Sequence, residues 1–349
     1  MTKNRRRVSA DLGRLPAEKR IHHVAVSRRL RAASGCGVIA KGFQLLTICQ
    51  QLKMTVADAT ASGVSRHAIS LMSNRLLRRE NPVNSGLNNR VALITGANNP
   101  QGIGASTAFA LASEGVRLAL VYKKIFREYD KSKTDRDGLD RYYKANSGDA
   151  AELEEKLRSM NAEYIVIESD IADEQNVKTI FDDVIERFGK VDILVNNAAG
   201  CAENDTINTL TPQAIDDTFA VNVRGTLLMI REFVKRRGNY GRIINLSTDS
   251  AQVFAGQITY GASKAAVEAL TRSIAMEVGK YGITVNCIAP GPTQTGWIDM
   301  ELEHAVLPQI PLGKLVQPED IADAIVFLAS ERAAMISGQV IKVSGGHAL

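Results

Sequence analysis

The run Arg90-Val91-Ala92-Leu93-Ile94-Thr95-Gly96 constrains the fold of this chain more than any other segment. A short apolar stretch ends in a glycine, crosses Ala97-Asn98-Asn99-Pro100-Gln101-Gly102-Ile103-Gly104, and continues into Ala105-Ser106-Thr107-Ala108-Phe109-Ala110-Leu111-Ala112. That order reads as strand, glycine turn and helix, the opening of a dinucleotide-binding βαβ unit. Glycines let the backbone approach a pyrophosphate, and a helix N-terminus offers free N–H groups and a positive dipole end. Strands are expected near residues 90–95, 117–122, 164–169, 191–196, 241–247, 283–288 and 339–343, with helical patterns such as residues 175–184 between them. The alternation predicts an α/β fold: a Rossmann-type, doubly wound parallel sheet of about seven strands with helices on both faces.

Two further strands end in polar side chains. Val191-Asp192-Ile193-Leu194-Val195 runs into Asn196-Asn197-Ala198-Ala199-Gly200, and Arg242-Ile243-Ile244-Asn245-Leu246 runs into Ser247-Thr248. Open α/β sheets bind ligands beyond the carboxyl ends of their strands, where these groups fall. Just downstream stand Tyr260 and Lys264, four residues apart. On a helix they share one face, so a phenol sits beside an ammonium. The positive charge is expected to lower the phenol's pKa toward the range useful for proton exchange.

The ordered set Thr95-Gly96…Gly102-Ile103-Gly104, Asn196-Asn197-Ala198, Asn222, Ser247/Thr248, Tyr260…Lys264 and Pro290-Gly291 resembles the short-chain dehydrogenase/reductases. The resemblance covers residues 88 to 349, and bacterial 3-oxoacyl-acyl-carrier-protein reductases and their paralogues look most similar. It implies a hydride transfer between a nicotinamide and a carbonyl or secondary alcohol, such as a 3-oxoacyl thioester or related ketone. By the same resemblance Tyr260 is the general acid/base, Lys264 assists it and reaches the nicotinamide ribose, and Asn222 kinks a helix in a proton relay. A hydroxyl at the end of the fifth strand orients the carbonyl. Counting from Gly241 selects Thr248, and counting back from Tyr260 selects Ser247; strand register favours Thr248.

For the cofactor, the resemblance assigns Gly96, Gln101, Gly102, Ile103 and Gly104 to the pyrophosphate and Asp170 with Ile171 to the adenine. Asn197, Ala198 and Ala199 approach the adjoining ribose, and Thr293 and Thr295, after Pro290 and Gly291, the carboxamide or phosphates. Tyr122 stands where an acidic residue would accept from the 2′-hydroxyl of NAD, and Lys123 and Lys124 follow it. This favours NADP, with NAD possible. One departure stands out: five residues separate Gly96 from Gly102, where the family has three. Trp297 falls in the segment expected to form a substrate lid, or to pack that lid on the core.

The formal net charge of +5 conceals an asymmetry. Residues 1–88 carry 16 Lys+Arg against 4 Asp+Glu, and the remainder 27 against 34, so the basic character is N-terminal. Residues 1–87 read as a basic extension, disordered or weakly helical, and residues 88–349 as the reductase domain. Three readings compete for the extension: a transit peptide, a helix-turn-helix over residues 55–70, or a disordered or non-native extension with functional translation starting at Met54 or Met72. The second carries an alternative function, a DNA-binding or cofactor-sensing regulator. The four cysteines form no CxxC pair and only five histidines occur, so no metal is expected.

A composition of 45% hydrophobic and 23% charged residues, without a long apolar run, predicts a cytoplasmic protein with no membrane span. The polar stretch Lys123–Asp149 reads as an insertion: a solvated loop, a flap over the adenosine end of the cofactor, or a partner contact. The helix after Tyr260 carries Ala262, Ala265, Ala266, Ala269, Leu270, Ile274 and Met276 on more than one face. One side is expected on the sheet and the other on a second subunit, in a homodimer or homotetramer. The expected partners are a small carbonyl or alcohol substrate and copies of the chain, with nucleic acid conceivable only through the N-terminal segment.

Overall fold

The computed structural model describes residues 85–203 and 205–348. The three readings of the N-terminal extension, and the regulator alternative with them, lie outside the described residues. The described unit starts at Ser85, whose carbonyl accepts from Glu331 N–H. Leu87, on the extension side of the expected boundary, is fully buried in the core.

Seven parallel strands form one sheet in the order β3-β2-β1-β4-β5-β6-β7. They are β1 (Val91–Thr95), β2 (Arg117–Tyr122), β3 (Tyr164–Glu168), β4 (Ile193–Asn196), β5 (Gly241–Leu246), β6 (Ile283–Pro290) and β7 (Val340–Val343). Each lies within a few residues of its expected position. The order reverses between β1 and β4, so the glycine turn after β1 and the amides after β4 meet at the switch point, where such sheets bind ligands.

Alternation along the strands builds two core layers. Ala92 and Ile94 of β1 face a cluster containing Leu111 of α1 (Ile103–Ser113), and Leu153 and Leu157 of α3 (Ala151–Ser159). That cluster also takes in Ile321 and Ile325 of the C-terminal helix Pro318–Ala329. Val91 and Leu93 face the other layer, with Val177, Ile180, Phe181 and Val184 of α4 (Glu174–Phe188). Both layers bury whole Leu and Ile side chains, and the second also Phe181 and Phe233, each stabilising by about 1.5–3 kcal/mol. The sheet end that carries the site is thereby held rigid.

Three further features shape the site. Between α5 (Pro212–Phe219) and α6 (Thr226–Lys235) the helix widens into a π segment, Ala220–Gly225, with Asn222 in it. The long helix α7 (Ile258–Val278) carries Tyr260 and Lys264. The insertion is not a plain solvated loop, because it folds a 3-10 turn at Lys131–Lys133 and the helix α2 (Leu139–Ser147). After β6 come α8 (Met300–Val306) and then α9 (Pro318–Ala329), the C-terminal helix named above. Among the described residues no helix is long and apolar enough to cross a membrane.

Candidate active site

The glycine turn is built by close approach. Gly96 has φ +72°, and a Cβ there would come within 2.8 Å of the Ala198 Cα. At Gly104 it would come within 2.5 Å of the Gly96 carbonyl oxygen, so neither position tolerates a side chain. Helix α1 is capped by Gly102, which has no side chain to satisfy the first-turn N–H groups. Those donors and the dipole end form a cradle suited to a dinucleotide's pyrophosphate. The β4 end is stapled to the same turn: Thr95 Oγ1 accepts from Asn197 N–H (3.1 Å) and Ala198 N–H (3.0 Å). Asn197 Nδ2 donates to the carbonyls of Thr95 (2.9 Å) and Gly96 (2.8 Å), so its amide nitrogen shapes the turn.

Tyr260 and Lys264 lie one turn apart on α7, with the Lys264 ammonium 5.6 Å from the centre of the Tyr260 ring. The expected lowering of the phenol's pKa is corrected here. Burial pushes the Tyr260 phenol above its ordinary value, and neighbouring Cys201 and Tyr142 push it further. Lys264 Nζ points elsewhere, donating to the Leu246 carbonyl at 2.8 Å. Burial lowers Lys264 itself to about 8, against the smaller opposing pull of Cys287 and Cys201. Desolvation outweighs the pairwise charge effect for both groups.

What aims Tyr260 is a residue with no local sequence signal. The fully buried Asp205 carboxylate accepts from the backbone N–H groups of Thr259 and Tyr260, both at 2.9 Å. It caps the start of α7, although 55 residues separate it from Tyr260. Edge-on packing of Phe254, with ring centres 5.8 Å apart, holds the Tyr260 ring from another side.

At the end of β5 the two candidate hydroxyls differ. Ser247 Oγ is buried and donates to Glu268 Oε1 at 2.9 Å, so it is committed to α7. The half-buried Thr248 hydroxyl has no hydrogen-bond partner among the described residues. Asn222, 1% exposed, clasps Gly200: its Oδ1 accepts from Gly200 N–H (2.7 Å) and its Nδ2 donates to the Gly200 carbonyl (2.9 Å). The same nitrogen donates to Ser263 Oγ at 2.9 Å, one residue from Lys264. A π segment lets an interior Asn leave the helical ladder and do this.

At the ends of β2 and β3, Tyr122 donates to Glu168 (3.2 Å), Lys123 pairs with Asp170 (2.7 Å) and Lys124 with Glu168 (3.0 Å). Ile171 packs under Gly225, where a Cβ would come within 3.0 Å of it. On the opposite side, Thr293 Oγ1 donates to the Gly291 carbonyl at 2.8 Å and the Thr293 carbonyl accepts from Trp297 Nε1 at 3.0 Å. Trp297 packs with Ile298, Ile310, Leu302 and Val306 in a small cluster of its own, which gives this segment a private core. The Thr295 carbonyl accepts from Asn99, and Gly296 crowds Gln101. Pro290 closes β6, with Gly291 packed against Ser344. Ala199 continues the β4 end beside Ala198. The site residues named from the sequence thus lie mostly beyond the carboxyl ends of the parallel strands. The unanticipated ones are Asp205, Glu268, Asn98 and Asn99.

The family model described as Enoyl-(Acyl carrier protein) reductase matches residues 138–348. An uncharacterized oxidoreductase of Bacillus subtilis, YjdA, is 31% identical over 74% of this chain and 96% of its own length. The 3-oxoacyl-[acyl-carrier-protein] reductase FabG of Staphylococcus aureus is 36% identical over 73% of this chain and 96% of its own. A solved structure of a blue fluorescent protein from a metagenomic library, in complex with NADPH, superposes with TM-score 0.64 at 29% identity, covering 75% of this chain and 99% of that one. The regulator alternative finds no support in these similarities. With the fold, the glycine cradle and the Tyr260–Lys264 pair, they make the chain a member of the short-chain dehydrogenase/reductase family, an NAD(P)-dependent oxidoreductase acting on CH–OH/C=O groups.

Proposed function

We propose that the protein is an NADP-preferring carbonyl reductase in which Tyr260, Lys264, Asn222 and Thr248 form the catalytic group. The observation that carries the reading is the pairing of a desolvated Tyr260 phenol with a buried Lys264 ammonium at the carboxyl end of the sheet. The dinucleotide, when bound, supplies the hydride. Gly96, Gly102, Ile103 and Gly104 would hold its pyrophosphate, Asp170 and Ile171 its adenine, and the stretch Pro290–Thr295 its nicotinamide end. Lys123 and Lys124 are in exposed ion pairs worth only about 0–1 kcal/mol. A 2′-phosphate can therefore compete for both lysines, which supports NADP, as does the NADPH complex of the metagenomic relative.

The chain's own residues handle the proton. Tyr260 Oη keeps its proton at neutral pH because burial raises its pKa, so it acts as the acid for the oxygen of a ketone being reduced. The Thr248 hydroxyl, free of other partners, donates to that oxygen and orients the carbonyl. Lys264 holds positive charge near the developing alkoxide. Asn222, through Gly200 and Ser263, fixes the backbone on which this group stands. Exposed Met276 and Ala269 of α7, with half-buried Ala265, Ala266 and Leu270, support the reading that a second copy of the chain packs there.

The test is ketone and diketone reduction by the full chain, followed through consumption of NADPH and NADH. No turnover with either cofactor on any substrate would overturn the reading. Within that assay Thr248→Val is expected to lower kcat by about 100-fold or more, the cost of one lost transition-state donor. Ser247→Ala is expected to spare kcat and to cost about 1–3 kcal/mol of stability by leaving Glu268 without its donor. The reverse pattern would move the orienting role to Ser247.

A further inference from the structure

Two departures from the family pattern, the widened glycine turn and the insertion Lys123–Asp149, form one physical unit. Asn98, supplied by the widened turn and 6% exposed, donates its side-chain amide to the carbonyls of Asn146 (3.1 Å) and Gly148 (3.0 Å). These are acceptors at the C-terminal end of α2, which a helix leaves without internal partners. Asn99 donates to the Thr295 carbonyl at 3.2 Å, and Gly138 N–H, at the start of α2, donates to the Gly296 carbonyl at 2.9 Å. The same unit is therefore tied to the segment after β6. On its remaining side Arg127 donates to the Cys201 carbonyl at 2.6 Å and lies over the Tyr143 ring at 5.1 Å. Cys201 leads within four residues to Asp205, which caps the helix bearing Tyr260.

A segment anchored on three sides is a wall and not a mobile loop. Opening it would break all of these contacts together. Tyr142 of α2, between these anchors, is an electrostatic neighbour of both Tyr260 and Cys201. An aromatic ring occupies on the order of 150–250 Å² of contact surface, space that a chain leaving the reacting carbonyl would otherwise use. Taking the reductase reading as its basis, we propose that residues 123–149 are a fixed wall of the substrate pocket and that Tyr142 is its specificity-determining residue. It admits compact ketones and turns away long acyl chains.

The experiment compares kcat/KM for diacetyl and for a medium-chain 3-oxoacyl thioester, with NADPH, in the full chain and in Tyr142→Ala and Tyr142→Phe. The wild type is expected to favour diacetyl. Tyr142→Ala should shift the ratio toward the thioester by about tenfold or more, while Tyr142→Phe, which keeps the ring, should leave it within about twofold. An unchanged ratio in folded Tyr142→Ala, or a wild type that prefers the thioester, overturns the proposal. If thermal melting finds Tyr142→Ala unfolded, Tyr142→Leu carries the same test. A wild type inactive on both substrates would instead reject the reductase reading beneath it.

Discussion

Tyr260→Phe is expected to lower kcat for ketone reduction by about 100- to 10,000-fold, the range attached to a positioned proton donor. The substitution removes one oxygen and keeps the ring. The Phe254 edge contact at 5.8 Å survives, and so do the two bonds from Asp205 to the start of α7, because they end on backbone N–H groups. Thermal stability should therefore stay near that of the wild type, and KM for the ketone should change far less than kcat. Loss of kcat without loss of fold is what separates a proton donor from a packing residue. A folded variant retaining more than about a tenth of wild-type kcat would remove Tyr260 from the chemistry.

The sequence carried the strands clearly because parallel strands buried on both faces are nearly continuous apolar runs, here ended by glycine, amides or hydroxyls. β1, β4 and β5 illustrate this, and their polar ends marked the carboxyl end of the sheet, where the site lies. Charge balance was less legible. The pairing of Tyr260 with Lys264 suggested a lowered phenol pKa, yet burial dominates both groups, and burial depends on what the distant chain places over them. Asp205 was invisible for a related reason. A capping carboxylate is recognised locally when it immediately precedes its helix, and this one arrives from another loop. Ser247 and Thr248 could not be separated by counting, since only the position of Glu268 shows which hydroxyl is already engaged.

Asn98 and Asn99 looked like spare residues in an overlong turn. They acquire a purpose only beside α2 and the segment after β6, whose carbonyls they satisfy. Two irregularities some 25 residues apart in sequence were one feature in space. Each would be unfavourable alone, because a buried amide without partners costs about 1–3 kcal/mol and a helix end without a cap leaves its carbonyls orphaned.

Lys264→Met should act on activity and stability with different pH signatures. The ammonium is 3% exposed and donates to the Leu246 carbonyl, and burial lowers it to about 8 from an ordinary 10.5. Between those two values the unfolded chain binds more protons than the folded one, so the wild type gains stability as pH rises through the window. Below about 8 both states are protonated and the cost of the buried charge is borne in full. Methionine does not titrate, so the unfolding free energy of wild type minus variant should be flat below pH 8 and climb above it. Urea unfolding at a series of pH values reads this directly; a difference that falls across the window contradicts a buried Lys264. In the rate, wild-type reduction should decline above about pH 8 as the charge that stabilises the developing alkoxide is lost. The variant should lack that limb and run about 100-fold or more below the wild-type plateau at every pH. A wild-type profile without a limb there would mean that Lys264 holds its place in the fold but contributes no charge to the reaction.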